Sequence, residues 1–125
     1  MTSSPIAHGV MVSVDDPRPV HIRTEVMQFA LAMELQLRAN AHKPGWKKES
    51  VDDLLQRVQE ELDELYDAVA PDTVRNVPLV LAEAADVANF LMMVCDVAGA
   101  LDMRVLRDRV CGPFAGVLMY PADPG

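Results

Sequence analysis

Four carboxylates stand in two pairs in the middle of this chain, Glu61 with Glu64 and Glu83 with Asp86, the members of each pair three residues apart. Residues at that spacing share one face of a helix, so two such helices side by side bring four carboxylates together as a metal cage. The second pair is the sharper signal. Between Val77 and Ala98 the only polar side chains are Glu83, Asp86, Asn89 and Asp96, which leaves such a helix little solvated surface. A lone carboxylate in that setting loses on the order of several kcal/mol or takes up a proton, and a divalent cation is one partner able to offset this. All-oxygen ligation selects a hard cation, magnesium or manganese, over zinc. The di-iron alternative in helical bundles needs Glu-x-x-His pairs, whereas His8, His21 and His42 all precede the acidic segments. A metal held by carboxylates with open positions suits phosphates, polarising their oxygens and activating a bound water. Taken alone, the run Glu60 to Glu64 also fits the wet side of an amphipathic helix. Glu83 and Asp86, on a helix apolar nearly all round, shift the balance toward metal.

Composition narrows the classes. The 125 residues fit one domain, and with 50% of them hydrophobic the chain can bury a core. The formal charge is −8, concentrated between residues 51 and 100, where eleven Asp and Glu face only Arg57 and Arg75. Bare nucleic acid is not the expected partner for that surface, because phosphate binding needs basic residues to displace counterions. Cys95 and Cys111 have no CxxC spacing and no Cys/His cluster around them, which points away from a disulfide framework or structural zinc and toward a reducing cytoplasm. Met1 to Val14 carries neither a basic leader nor a continuous apolar run. Val77 to Ala98 is long enough to span a bilayer, but its three acids and one asparagine argue against insertion, and the expectation is a soluble protein with no membrane partner.

The elements that must position these groups are helical. Residues 1–19 hold Pro5, Gly9, Pro17 and Pro19 around a Val10, Val12, Val14 alternation, which makes an N-terminal arm or an edge strand at most. From about Val20 to Asn40, Val26, Phe29, Ala30, Met33 and Leu37 recur at helical spacing, with Met27, Leu31 and Leu35 widening the stripe. Pro44-Gly45 marks a loop. Ser50 is a good N-cap for the next helix, whose stripe runs Val51, Leu54, Leu55, Val58, Leu62, Leu65 and Val69 before Pro71. Glu61 flanks that stripe and Glu64 lies further round, so both reach a groove beside the core. Asn76 caps a third helix with Pro78 in its first turn, and Gly99 ends it. A shorter fourth helix is expected from Leu101 to about Cys111, stopped by Gly112-Pro113. The fold class is all-α, resembling a four-helix bundle over residues 20–111, with the second and third helices antiparallel and residues 112–125 as a C-terminal tail.

Glu61-x-x-Glu64, eighteen intervening residues, then Glu83-x-x-Asp86 resembles the signature of the MazG-like all-α nucleoside triphosphate pyrophosphohydrolases. The stretches EELDEL and EAADVANFL match in context, and HKPGW sits where related members carry a similar substrate-side segment. The resemblance covers roughly residues 25–98. It implies magnesium-dependent cleavage between the α and β phosphates of a nucleoside triphosphate, giving monophosphate and pyrophosphate. By position Glu61, Glu64, Glu83 and Asp86 would hold the metals, with manganese a substitute for magnesium. Glu60 is a candidate further ligand or the base that orients water. Asn89, one turn beyond Asp86, is a candidate for substrate binding, with a structural hydrogen bond as its alternative. In the loop, His42, Lys43, Lys47 and Lys48 offer charge to phosphates and Trp46 a ring to stack on a base, against the plainer reading of a solvated basic loop pinned by one tryptophan.

Two other functions compete. The acidic stripes alone could solvate a non-catalytic helical interaction module, and a MazG-like fold could bind a nucleotide as a sensor without turnover. Because the first and third helices are apolar on more than one stripe, a homodimer or homotetramer is expected to cover the excess.

Overall fold

The computed structural model describes residues 10–12, 20–70 and 76–111. Val14, the prolines and glycine of the arm, Pro71, Gly112-Pro113 and the tail 112–125 lie outside the described residues. Two short strands, β1 (Val10–Val12) and β2 (Val20–Ile22), pair antiparallel with Val10 opposite Ile22 and Val12 opposite Val20. Four helices follow: α1 (Thr24–Ala39), α2 (Val51–Val69), α3 (Val77–Val97) and α4 (Met103–Cys111). The all-α character stands.

The boundaries have local causes. The first helix begins at Thr24 and not at Val20, because Val20 to Ile22, two of them β-branched, are drawn into pairing with β1. Ser50 caps α2, its hydroxyl accepting from the Asp53 amide at 3.1 Å. Asn76 does the same for α3 through the Leu79 amide at 3.1 Å, with Pro78 in the first turn. At the far end of α3, Gly99 takes φ 79°, its amide reaching the Asp96 carbonyl while Ala100 reaches that of Cys95 at 2.8 Å. This is a Schellman stop, and its left-handed residue favours glycine. Asp102 sets the start of α4 at Met103, two residues later than expected, by accepting from the Arg104 amide at 2.7 Å.

Within the chain, α3 is the central element and packs against both α2 and α1. Contacts between them run in opposite order, Arg57 with Phe90 and Glu61 with Asp86, then Gln36 with Asp86 and Met33 with Asn89, so α3 is antiparallel to both neighbours. The buried apolar positions are small or few: Ala32 on α1, Leu54 and Ala68 on α2, and Ala85 on α3. Such residues let helices approach closely. Among the described residues α4 makes no extensive contact with the other helices, so three of the four form the packed unit of one chain. Large apolar side chains remain exposed, among them Val26, Leu31 and Leu35 on α1 and Leu79, Leu81 and Leu91 on α3. By length and composition α3 could cross a membrane, yet it is the helix on which α1 and α2 pack and the one that carries Glu83 and Asp86.

Candidate metal centre

The two acidic pairs meet across α2 and α3. One carboxylate oxygen each from Glu61, Glu83 and Asp86 lies within 4.8 Å of the others. Glu61 sits on the stripe edge of α2 that turns to α3 and is only 9% exposed. Glu64, one turn further along α2, is exposed to solvent, and its charge bears on the carboxyls of both Glu61 and Glu83. Three of the four sequence-predicted ligands thus converge, and Glu64 stands beside them on the solvent side.

The electrostatics are those of crowded like charges. Burial is the first cause that pushes the Glu61 carboxyl above its ordinary value; the charge of Glu64, its hydrogen bond and the charge of Asp86 push further, and Arg57 opposes them. Glu83 is raised by the same causes in the same order, without an arginine to oppose them. Its Oε2 is buried with no hydrogen-bond partner. Across the cluster, Gln36 Nε2 on α1 donates to Asp86 Oδ1 at 3.0 Å.

A groove of about 1370 Å³ opens beside the cluster. Glu60, Glu61, Glu64 and Asp86 border it from the helices, and Lys43 and Trp46 border it from the loop between α1 and α2. Glu83 does not border it. Asn89, 3% exposed, lies along the groove and donates from Nδ2 to the Met33 carbonyl at 3.0 Å, while its Oδ1 is buried without a partner. The structural bond weighed for Asn89 is therefore present.

The basic loop divides. Lys43 faces the groove; His42 and Lys47 do not border it. Lys47 instead binds Asp96 near the C-terminus of α3 and lies over the Trp46 ring at 5.6 Å from its centre. Trp46 Nε1 donates to the same Asp96 oxygen at 2.8 Å, and these two donors hold the Asp96 carboxyl below its ordinary value. The tryptophan pins the loop by its edge. Glu60 is exposed and paired with Arg57 at 3.4 Å.

Three residues with a part in this geometry had no role from sequence. Gln36 had only its position on the wide stripe of α1 as a signal. Arg57 precedes Glu60 and Glu61 by three and four residues, the helical ion-pair spacing, and this could have marked it. Asp96 was legible as a polar residue on an apolar helix, but its loop partners lie about fifty positions away.

No protein-family model matches the chain, and no curated protein or solved structure is significantly similar to it.

Proposed function

We propose that this chain is a MazG-like, magnesium-dependent nucleoside triphosphate pyrophosphohydrolase that acts in nucleotide-pool housecleaning in the cytoplasm, as a homodimer or homotetramer with a four-helix-bundle-like core. The observation that carries the proposal is the convergence of Glu61, Glu83 and Asp86 within 4.8 Å across two helices whose acidic spacing resembles that family's motif. The donor set fits a hard divalent cation: every available ligand is a carboxylate oxygen, and the orphaned Glu83 Oε2 is a buried acceptor in need of a positive partner. Two glutamates with raised proton affinity are what a cluster awaiting a cation produces.

Glu61, Glu64, Glu83 and Asp86 would hold magnesium, or manganese in its place. The bound ion supplies charge neutralisation at the phosphates and lowers the pKa of water for attack. Gln36 fixes the Asp86 carboxylate by its 3.0 Å bond, so that ligand is oriented before the ion arrives. Glu60, exposed at the groove edge, is the candidate to orient the attacking water. Lys43 offers its charge to the phosphate chain, and Trp46, which borders the groove, would present to a base the face that Lys47 does not cover while its edge stays on Asp96. Burial of the exposed apolar faces of α1 and α3 against further copies supports assembly. It supports insertion into a membrane less well, given the acids on α3.

The test is a panel of ordinary and modified nucleoside triphosphates with magnesium, resolved by chromatography for monophosphate and pyrophosphate. Release of orthophosphate in place of pyrophosphate would contradict the bond assigned. The same exposed apolar faces favour one second reading, a non-catalytic helical interaction module; it requires neither binding of magnesium at millimolar concentration nor product. Tight nucleotide binding without product would instead mark a sensor.

A further inference from the structure

Arg57 is the single basic residue of α2 and α3 together, and it stands beside the acidic cluster. Its Nη2 lies 3.3 Å from Glu61 Oε1 and its Nε 3.4 Å from Glu60 Oε2. Its guanidinium also crosses to α3, centred 5.0 Å from the middle of the Phe90 ring. Ion pairs three or four residues apart are common on helix surfaces and contribute little. This one differs in its acid, because Glu61 is buried and belongs to the cluster. It differs also in its base, which lies over a ring of a neighbouring helix and forms part of the groove wall. A guanidinium placed over an aromatic ring keeps its edge donors free to exchange one oxyanion for another. Of the other basic residues on the groove, Arg38 is already tied to Glu34 at 3.0 Å.

We infer that Arg57 is a phosphate-binding residue held in reserve on Glu61: it serves as the counter-ion of the metal-free cluster, is displaced from Glu61 when a divalent cation binds, and then takes the phosphate chain of the substrate. The inference rests on the proposed metal site. Its physical basis is competition, since a guanidinium and a divalent cation are like charges sharing one carboxylate. A cation on Glu61 weakens the hold of that carboxylate on Arg57, and the nearest alternative anion is whatever enters the groove. Phosphate oxygens match the planar donor fork better than a single carboxylate oxygen does.

The exchange is tested on the full chain with two base-free probes, magnesium alone and then inorganic tripolyphosphate in saturating magnesium, each titrated by calorimetry. In Arg57→Gln, magnesium should bind about two- to fivefold more tightly, the range a half-exposed ion pair commands. Tripolyphosphate should bind about tenfold or more weakly, as expected for loss of a charged hydrogen bond. Arg57→Lys, which keeps the charge but not the fork, should leave magnesium near wild type and recover only part of the tripolyphosphate affinity. A folded Arg57→Gln protein with unchanged affinity for either probe overturns the exchange. Should that variant fail to fold, nitrogen-15 spectra of the wild type decide: the Arg57 Nε–H signal should shift and lose exchange protection as magnesium is added, and a signal that stays in place overturns it. Failure of the wild type to bind magnesium at all is a separate outcome, and it removes the metal site itself.

Discussion

Replacing Asp86 with Asn isolates the electrostatics of the cluster, because the side chain keeps its shape and its amide oxygen can still accept from Gln36 Nε2, now 3.0 Å away. Only the charge is lost. Two full charges at the 4.8 Å limit of the cluster repel by about 3.5 kcal/mol at an effective dielectric constant of about 20. Solvent at the half-buried Glu83 and Asp86 screens this, so the metal-free variant should gain about 1 kcal/mol or stay level. Magnesium acts in the opposite sense. At a hundred times its dissociation constant it should add about 2.7 kcal/mol to the wild type, roughly 8 to 13 °C in Tm for a chain of this size. The variant should lose most of that gain. Its turnover should fall by more than the roughly 10- to 100-fold typical of outer-shell partners of a metal. The assay is thermal melting of both proteins in EDTA and in magnesium at one protein concentration, beside pyrophosphate release. An active Asp86→Asn protein with an undiminished magnesium shift would remove Asp86 from the site and refute the cage.

Other perturbations probe separate parts of the proposal. Light scattering at micromolar concentration should find a dimer or tetramer, given the exposed Val26, Leu31, Leu35, Leu81 and Leu91; a stable monomer rules assembly out. Trp46→Ala should weaken nucleotide binding by about 1 to 3 kcal/mol if the ring stacks on the base, and nucleotide should change the fluorescence of this only tryptophan. Unchanged fluorescence together with wild-type kinetics in the variant would leave Trp46 only its tie to Asp96. Glu61 and Glu83 have folded pKa values raised above the ordinary 4.5, so between 4.5 and those raised values the folded chain holds more protons than the unfolded one. Their contribution is present below that window and lost as pH rises through it. Urea melts in EDTA should therefore show a more stable protein at pH 5 than at pH 7, and the magnesium shift should shrink over the same descent as protons compete for the ligands. A metal-free stability that rises with pH would contradict the raised values.

The acidic pairs, the three long helices and two of their caps were legible because each is a local pattern. Glu61 and Glu64, or Glu83 and Asp86, need only helical spacing to share a face, and Ser50 and Asn76 need only a small acceptor ahead of a helix. What escaped was set by partners distant in the chain. Val20 to Ile22 continue the apolar pattern of α1, yet pairing with Val10 to Val12 takes them as a strand. Gln36 meets Asp86 fifty residues later, and Trp46 meets Asp96 at the same separation. Neither meeting has a periodicity to announce it. Lys43 and Lys47 look alike in the loop, and only the position of α3 decides that one borders the groove while the other closes on Asp96.

Under the proposed function, activity and stability pull against each other where α2 meets α3. Ala85 is fully buried and Ala68 nearly so, and side chains of this size let packed helices come close, while carboxylates from α2 and α3 meet in one cluster. The same small residues leave little apolar volume inside the chain, where Leu54 is the one large side chain among the described residues that is almost completely enclosed. A thin core beside crowded acids makes a weak monomer, since apolar burial is the main stabilising term and like-charge repulsion subtracts from it. On the proposed reading both deficits have a remedy outside the single chain. Magnesium removes the repulsion, and a second copy buries the leucines that α1 and α3 leave exposed. Each binds the folded state in preference to the unfolded one, so each raises stability by mass action. On that reading the exposed apolar faces and the raised carboxyls belong together, since the helices bury few large apolar residues beside their clustered acids.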